Sequence, residues 1–204
     1  MPGFMYFCIM VKIACVGDSI TWGFTILKRH KDSYPAVLQQ LLGSGFKVQN
    51  FGVNNACANF GGDLPYGRLR SFRRALSFKP DIVIIMLGTN DTKRFNFERG
   101  HFLSGYESIV DSFTSQEKKP KVYLMTPPPV FGSFGLDAFT LNNDILNSDI
   151  IPAIRSTATE KGLKQIDINS VIQSKELTND GVHPNKDGAR LIAETVYAAI
   201  SNRY

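Results

Sequence analysis

Three histidines occur in the 204 residues, and His183 is the one placed to move a proton. It follows Asp180 by three residues, with Gly181 between them and Pro184 directing the chain away. A carboxylate at that spacing in a turn can accept the proton on one imidazole nitrogen, leaving the other free to take a proton from a hydroxyl. The same Asp-Gly pair also suits a plain turn ahead of a helix. His30 lies in the basic stretch Lys28-Arg29-His30-Lys31 and reads as solvent-exposed, and His101 reads as part of a polar loop after Arg99-Gly100. The hydroxyl with a nucleophile's address is Ser19, in Gly17-Asp18-Ser19-Ile20-Thr21. It comes just past an apolar run, where a segment begins with free backbone amides. Serine at such a position also serves as an ordinary helix cap.

Acyl transfer further needs hydrogen-bond donors where negative charge develops, each worth roughly 10²–10³ in rate. Gly52, in Asn50-Phe51-Gly52-Val53-Asn54, can bring its backbone amide close to a ligand. Asn90, in Gly88-Thr89-Asn90-Asp91, offers a side-chain amide. Either residue alone is equally at home in a turn.

Positioning these groups requires a scaffold, and the apolar pattern supplies one. Five short runs rich in β-branched residues, Val11 to Val16, Val48 to Phe51, Ile82 to Leu87, Val122 to Met125 and Leu163 to Ile168, alternate with segments of helical character. Ser33-Tyr34-Pro35 opens a helix that Gly43 stops, and further helices are predicted over 68–78, 104–117, 141–161 and from Asn185 or Lys186 onward. Pro152 should kink or divide the fourth of these. The pattern predicts one α/β domain over residues 1–204, a three-layer α/β/α sandwich on a parallel five-stranded sheet, with 2-1-3-4-5 the favoured strand order. Residues 1–9 could be an upstream extension, because Met10 stands directly before the first strand. In an open parallel sheet, ligands bind at the carboxyl ends of the strands, where every candidate residue above falls.

Composition narrows the classes. No stretch approaches the ~18 apolar residues of a membrane helix. Three cysteines (Cys8, Cys15, Cys57) without a CxxC spacing argue against a disulfide framework and against zinc, so no metal or cofactor is expected. The net charge of +5 is scattered rather than gathered into one motif, which argues against a nucleic-acid partner. The odd cysteine count and the lack of a signal-peptide pattern favour the cytoplasm, and no pattern specifies an oligomeric state.

Four blocks, GDSIT with Ser19, NFGVN with Gly52, LGTND with Asn90 and DGVHP with Asp180 and His183, occur in the order of the SGNH, or GDSL, hydrolase superfamily. The chain resembles that superfamily from about residue 11 to about 200. The resemblance implies a flavodoxin-like sandwich and metal-free ester hydrolysis. Ser19 would be the nucleophile, His183 the general base and then acid, and Asp180 its orienting carboxylate. The Ser19 amide, the Gly52 amide and the Asn90 side chain would form the oxyanion hole. Asp18 and Asp91, inside the blocks, read as hydrogen-bonding scaffolds. One departure is Asn54-Asn55-Ala56-Cys57 after the second block, where many relatives have a serine-glycine turn.

The Gly62-Asp63-Leu64-Pro65-Tyr66 stretch, the SFKPDIVIIMLGTND run and Pro127-Pro128-Pro129 look similar to the bacterial carbohydrate-deacetylating branch, including sialate and xylan O-acetylesterases. That implies a small-molecule ester substrate, an acetylated sugar. Trp22 and Tyr66 could stack on a sugar face or simply pack, and Arg68, Arg70, Arg73 and Arg74 could attract an anion but better suit a solvated helix face. The alternatives are a thioesterase or lysophospholipase on the same triad, and a carbohydrate-binding protein without chemistry.

Overall fold

The computed structural model describes residues 10–132 and 140–201, so the suggested extension 1–9 lies outside the described residues. Five strands, β1 (Val11–Gly17), β2 (Phe46–Asn50), β3 (Ile82–Met86), β4 (Lys121–Thr126) and β5 (Lys164–Asp167), form one parallel sheet in the order β2-β1-β3-β4-β5. The fold class and strand order are those expected from the sequence. β2 begins two residues earlier than its apolar run, because an edge strand is only half-buried and admits Lys47 facing outward.

Helices cover both faces. They are α1 (Ser19–Trp22), α2 (Arg29–Asp32), α3 (Tyr34–Leu42), α4 (Arg70–Ser77), α5 (Arg99–Thr114), α6 (Asn143–Ile145), α7 (Ile151–Glu160) and α8 (Lys186–Ser201). On one face, Ile13, Cys15, Ile84, Met86 and Met125 pack with Leu38 of α3 and with Ile192 and Val196 of α8. On the other, Ala14, Val16, Val83, Ile85 and Leu124 pack with Phe72 of α4, Phe102 and Val110 of α5 and Ile154 of α7. Every residue of β3 is buried, which is why Ile82-Val83-Ile84-Ile85-Met86 shows no polar alternation.

α5 starts at Arg99, so His101 lies in its first turn rather than in a loop. Phe102, fully buried with its N–H on the Glu98 carbonyl, anchors the turn that Gly100 and the neighbouring charges disguise in the sequence. The helix expected over 141–161 is divided by a π-helical stretch, Leu146–Ile150, which leaves Pro152 in the first turn of α7. Proline has no N–H for the carbonyl four residues back, and the wider turn absorbs that mismatch.

The register delivers the site. Gly17 pairs with Met86 and Cys15 with Asn50, so the segments following β1, β2 and β3 leave the sheet side by side. Phe51 N–H to the Cys15 carbonyl (2.8 Å) and Val53 N–H to the Gly17 carbonyl (3.0 Å) extend the pairing beyond β2.

Candidate active site

Ser19 is the first residue of α1, directly past β1. Asp18 caps that helix, its carboxylate accepting the Ile20 N–H at 2.9 Å. Gly17 is required here, since a Cβ would lie 2.6 Å from the Met86 carbonyl oxygen and closer still to Thr21. Within so short a helix the Ser19 N–H has no intrahelical acceptor. Ser19 Oγ lies 2.9 Å from Nε2 of His183, 164 residues away. His183 Nδ1 in turn lies 2.7 Å from Asp180 Oδ2.

The turn that carries this pair is held from several sides. Asp180 Oδ1 accepts the backbone N–H groups of Val182 (3.0 Å) and His183 (2.8 Å). Gly181 adopts φ +92°, and its own Cβ would fall 2.4 Å from the Phe131 carbonyl oxygen. Burial works against charge on Asp180, but the hydrogen bonds from His183 and Val182 outweigh it and hold the carboxyl below the usual carboxylate range. Asp180 is therefore ionised at neutral pH, as a group that fixes the imidazole tautomer must be.

Gly52 and Asn90 reach the same edge. A Cβ on Gly52 would lie 2.3 Å from the Trp22 backbone nitrogen, so only glycine lets this loop press against α1. Its N–H is engaged by Asn50 Oδ1 at 2.9 Å, while Asn50 Nδ2 holds the Thr21 carbonyl at 2.7 Å. Asn90 donates one Nδ2 proton to the Ala56 carbonyl at 3.1 Å, which leaves the second proton of that amide for a ligand. The acceptor that aims Asn90 is thus a main-chain carbonyl in the Asn54-Asn55-Ala56-Cys57 segment, independent of the residue type there.

A buried brace stands behind Asn90. The Asp91 carboxylate is fully buried and accepts the N–H groups of Ala58 and Asn59 at 2.8–3.0 Å. Burial pushes its pKa up to about 6 in spite of these bonds. Asp18 is likewise buried and pushed up to about 7, first by burial and then by the nearby Asp91 charge. Asn96 donates to both the Asn90 carbonyl (2.8 Å) and Asp63 Oδ1 (2.7 Å), and Lys93 Nζ closes the network on Asp63 Oδ2 at 2.9 Å. Asp18 and Asp91 are scaffolds, as the sequence suggested, whereas the Asp63–Lys93–Asn96 brace went unread because these are ordinary loop residues by type.

The other assignments separate cleanly. Tyr66 is fully buried with its hydroxyl on the Phe51 carbonyl (2.8 Å), so it packs rather than meets a ligand. Trp22 is half-buried beneath the Arg29 guanidinium, 3.9 Å from its ring centre. Arg68, Arg70, Arg73 and Arg74 are exposed, and His30 is exposed. His101 is paired with Glu98 at 3.0 Å on the surface. An aromatic that sequence reasoning missed is Phe24, 41% exposed and edge-on to the His183 ring at 4.8 Å. The signal was Gly23, whose left-handed φ of +89° ends α1, with Phe24 N–H following it onto the Ser19 carbonyl at 2.9 Å.

With that geometry in place, likeness to known proteins is informative. Residues 15–191 match the model of the GDSL-like Lipase/Acylhydrolase family. The chain is 36% identical over 210 residues to an acetylxylan esterase of Xylanibacter ruminicola, a stretch that is 93% of this chain and 43% of that protein. It therefore spans less than half the length of the curated relatives it matches. Two solved structures share the fold. The carbohydrate acetylesterase Est24 of Sinorhizobium meliloti has a TM-score of 0.80 at 19% identity, covering 95% of this chain and 100% of that one. The M. smegmatis aryl esterase has a TM-score of 0.78 at 23% identity, covering 94% and 99%. The family match spans the strand ends that carry Ser19, Gly52, Asn90, Asp180 and His183, and the chain belongs to the GDSL-like lipase/acylhydrolase family.

Proposed function

We propose that the chain is a serine esterase that removes acetyl groups from carbohydrate hydroxyls. The observation that carries the reading is the continuous hydrogen-bonded path from Asp180 through His183 to Ser19 at 2.7 and 2.9 Å. A serine hydroxyl is a poor nucleophile at its free pKa, and an oriented imidazole within hydrogen-bond reach supplies the missing base. Ser19 Oγ attacks the acetyl carbon as its proton passes to His183 Nε2. The imidazolium, stabilised by Asp180, returns that proton to the departing alcohol oxygen. Water then repeats the sequence on the acetyl-Ser19 ester, releasing acetate and restoring the hydroxyl. The oxyanion accepts from the Ser19 N–H and from the free Nδ2 proton of Asn90. The Gly52 N–H, bonded to Asn50 Oδ1 at 2.9 Å, is the third donor and reaches the oxyanion only by exchanging that bond.

Acetyl esters of sugars are favoured over long acyl chains by the acetylxylan esterase relative, at 36% identity. Its test is a comparison of acetate release from acetylated xylo-oligosaccharides with hydrolysis of octanoyl esters and acyl thioesters. Preference for the acetylated sugar is expected. Equal turnover of acetyl and octanoyl esters would overturn the assignment in favour of a thioesterase or lysophospholipase.

A further inference from the structure

Resting on the sugar-acetate reading, we propose that Phe24 and the adjoining cavity bind the alcohol half of the ester, and that this half is an uncharged pyranoside. The chemistry fixes on which side that half must lie. His183 Nε2 has to reach the departing oxygen, whereas the oxyanion donors Asn90 and Gly52 stand at the ends of β3 and β2. The leaving alcohol therefore emerges beside the imidazole, and among the described residues Phe24 is an exposed ring packed on that imidazole.

A cavity of about 420 Å³ is lined by Thr25, the chain neighbour of Phe24, by Asn179, the chain neighbour of Asp180, and by Leu27 and Lys28 among others, while Phe24 and the triad side chains themselves stand outside that lining. That volume lies within the roughly 300–1,000 Å³ of small-molecule sites. Its lining includes two lysines, Lys28 and Lys186, and two aspartates, Asp32 and Asp187, whose charges cancel. Lys186 and Asp32 are already paired at 3.3 Å. A balanced lining selects hydroxyl groups rather than a charged sugar, and Leu27, 96% exposed, offers an apolar surface to the carbon face of a ring.

The segment is built into place. Thr25, a β-branched residue, adopts φ +69°, a conformation seldom seen without a holding contact. Asn179 provides that contact, donating Nδ2 to Thr25 Oγ1 at 2.8 Å while its backbone N–H bonds the His183 carbonyl at 2.9 Å. The platform and the imidazole are thereby joined through one residue.

The experiment compares kcat/KM for an acetylated methyl xyloside with that for ethyl acetate, whose alcohol is too short to reach the cavity. Wild type, Phe24→Leu, Phe24→Trp and Leu27→Ser are measured, with an acetylated sialic acid as the anionic sugar. Wild type is expected to prefer the neutral sugar ester over both others. Phe24→Leu and Leu27→Ser should lower the xyloside-to-ethyl ratio at least tenfold, chiefly through KM, and Phe24→Trp should retain it. An unchanged ratio in both lowering variants, or equal loss on both esters, overturns the proposal while sparing the sugar-acetate reading. Wild-type preference for the sialic acid ester overturns the uncharged-ligand assignment. Wild-type indifference between xyloside and ethyl ester overturns the sugar-acetate reading itself, and the proposal with it.

Discussion

The two walls of the site are built on different principles. The proton-handling wall is a chain of side chains, Asp180, His183 and Ser19, joined by two short bonds and carried on a turn of four residues and the start of a four-residue helix. The wall proposed to hold the oxyanion is mostly backbone and amide, and its carboxylates are engaged by neighbouring loops. Asp91 holds the N–H groups of Ala58 and Asn59, and Asp63 holds Lys93 and Asn96. On the Asp180 side the structure keeps the carboxylate partly exposed, 24% for its side chain, and ionised. Where loops must be anchored, it buries the carboxylates of Asp91 and Asp18, though not that of Asp63, at an electrostatic cost visible in the raised pKa values of Asp91 and Asp18.

That contrast sets the expected order of effects. Removing the nucleophile with Ser19→Ala should lower kcat on acetyl esters by about 10⁶-fold, measured by pre-steady-state and steady-state hydrolysis. Asp180→Asn should cost about 10⁴-fold by presenting the wrong imidazole tautomer while leaving thermal stability nearly intact. On the opposite wall, Asn90→Ala removes a donor aimed at the developing charge and should cost about 10²–10³-fold in kcat with KM little changed. Asn96→Ala acts only through the Asn90 carbonyl and the Asp63 anchor, and about tenfold in kcat is expected from the resulting misplacement. If Asn96→Ala equalled Asn90→Ala, the distinction between a donor and its brace would disappear.

The smallest effect concerns stability. Asp18 is pushed up to about 7 in the fold from an ordinary carboxylate value near 4. The native state therefore binds its proton more tightly than the unfolded chain does. Its contribution to stability is fully present below about pH 4 and is lost as pH rises to about 7. Asp18→Asn keeps a side-chain oxygen for the Ile20 N–H and removes the charge. Denaturant titrations at pH 5 and pH 8 should show the wild type losing on the order of a few kcal/mol more than the variant. Parallel curves would show that Asp18 is neutralised by another route.

How much of this was legible in the sequence follows from the same contrast. The proton-handling wall was readable because Asp180-Gly181-Val182-His183 places its own partners three residues apart, and because Ser19 follows a strand and a glycine. The sheet was readable because β1, β3 and β4 are buried runs of β-branched and apolar residues. The brace was not, since Asp63, Lys93 and Asn96 meet only when two loops some 30 residues apart fold together. Nor was the engagement of Gly52 by Asn50, a bond between two positions that each read as turn residues. Phe24 escaped notice as one of 15 phenylalanines. Its role follows from the left-handed Gly23 and the unusual φ of Thr25, which a residue type alone does not disclose.

Activation of Ser19 by His183 is tested most directly by covalent labelling. The protein would be treated with a fluorophosphonate and its peptides mapped by mass spectrometry, alongside Ser19→Ala and His183→Ala. A single phosphonyl group on Ser19 is predicted, absent in Ser19→Ala and slowed by orders of magnitude in His183→Ala. Labelling at another residue, or equal rates with and without His183, would contradict it.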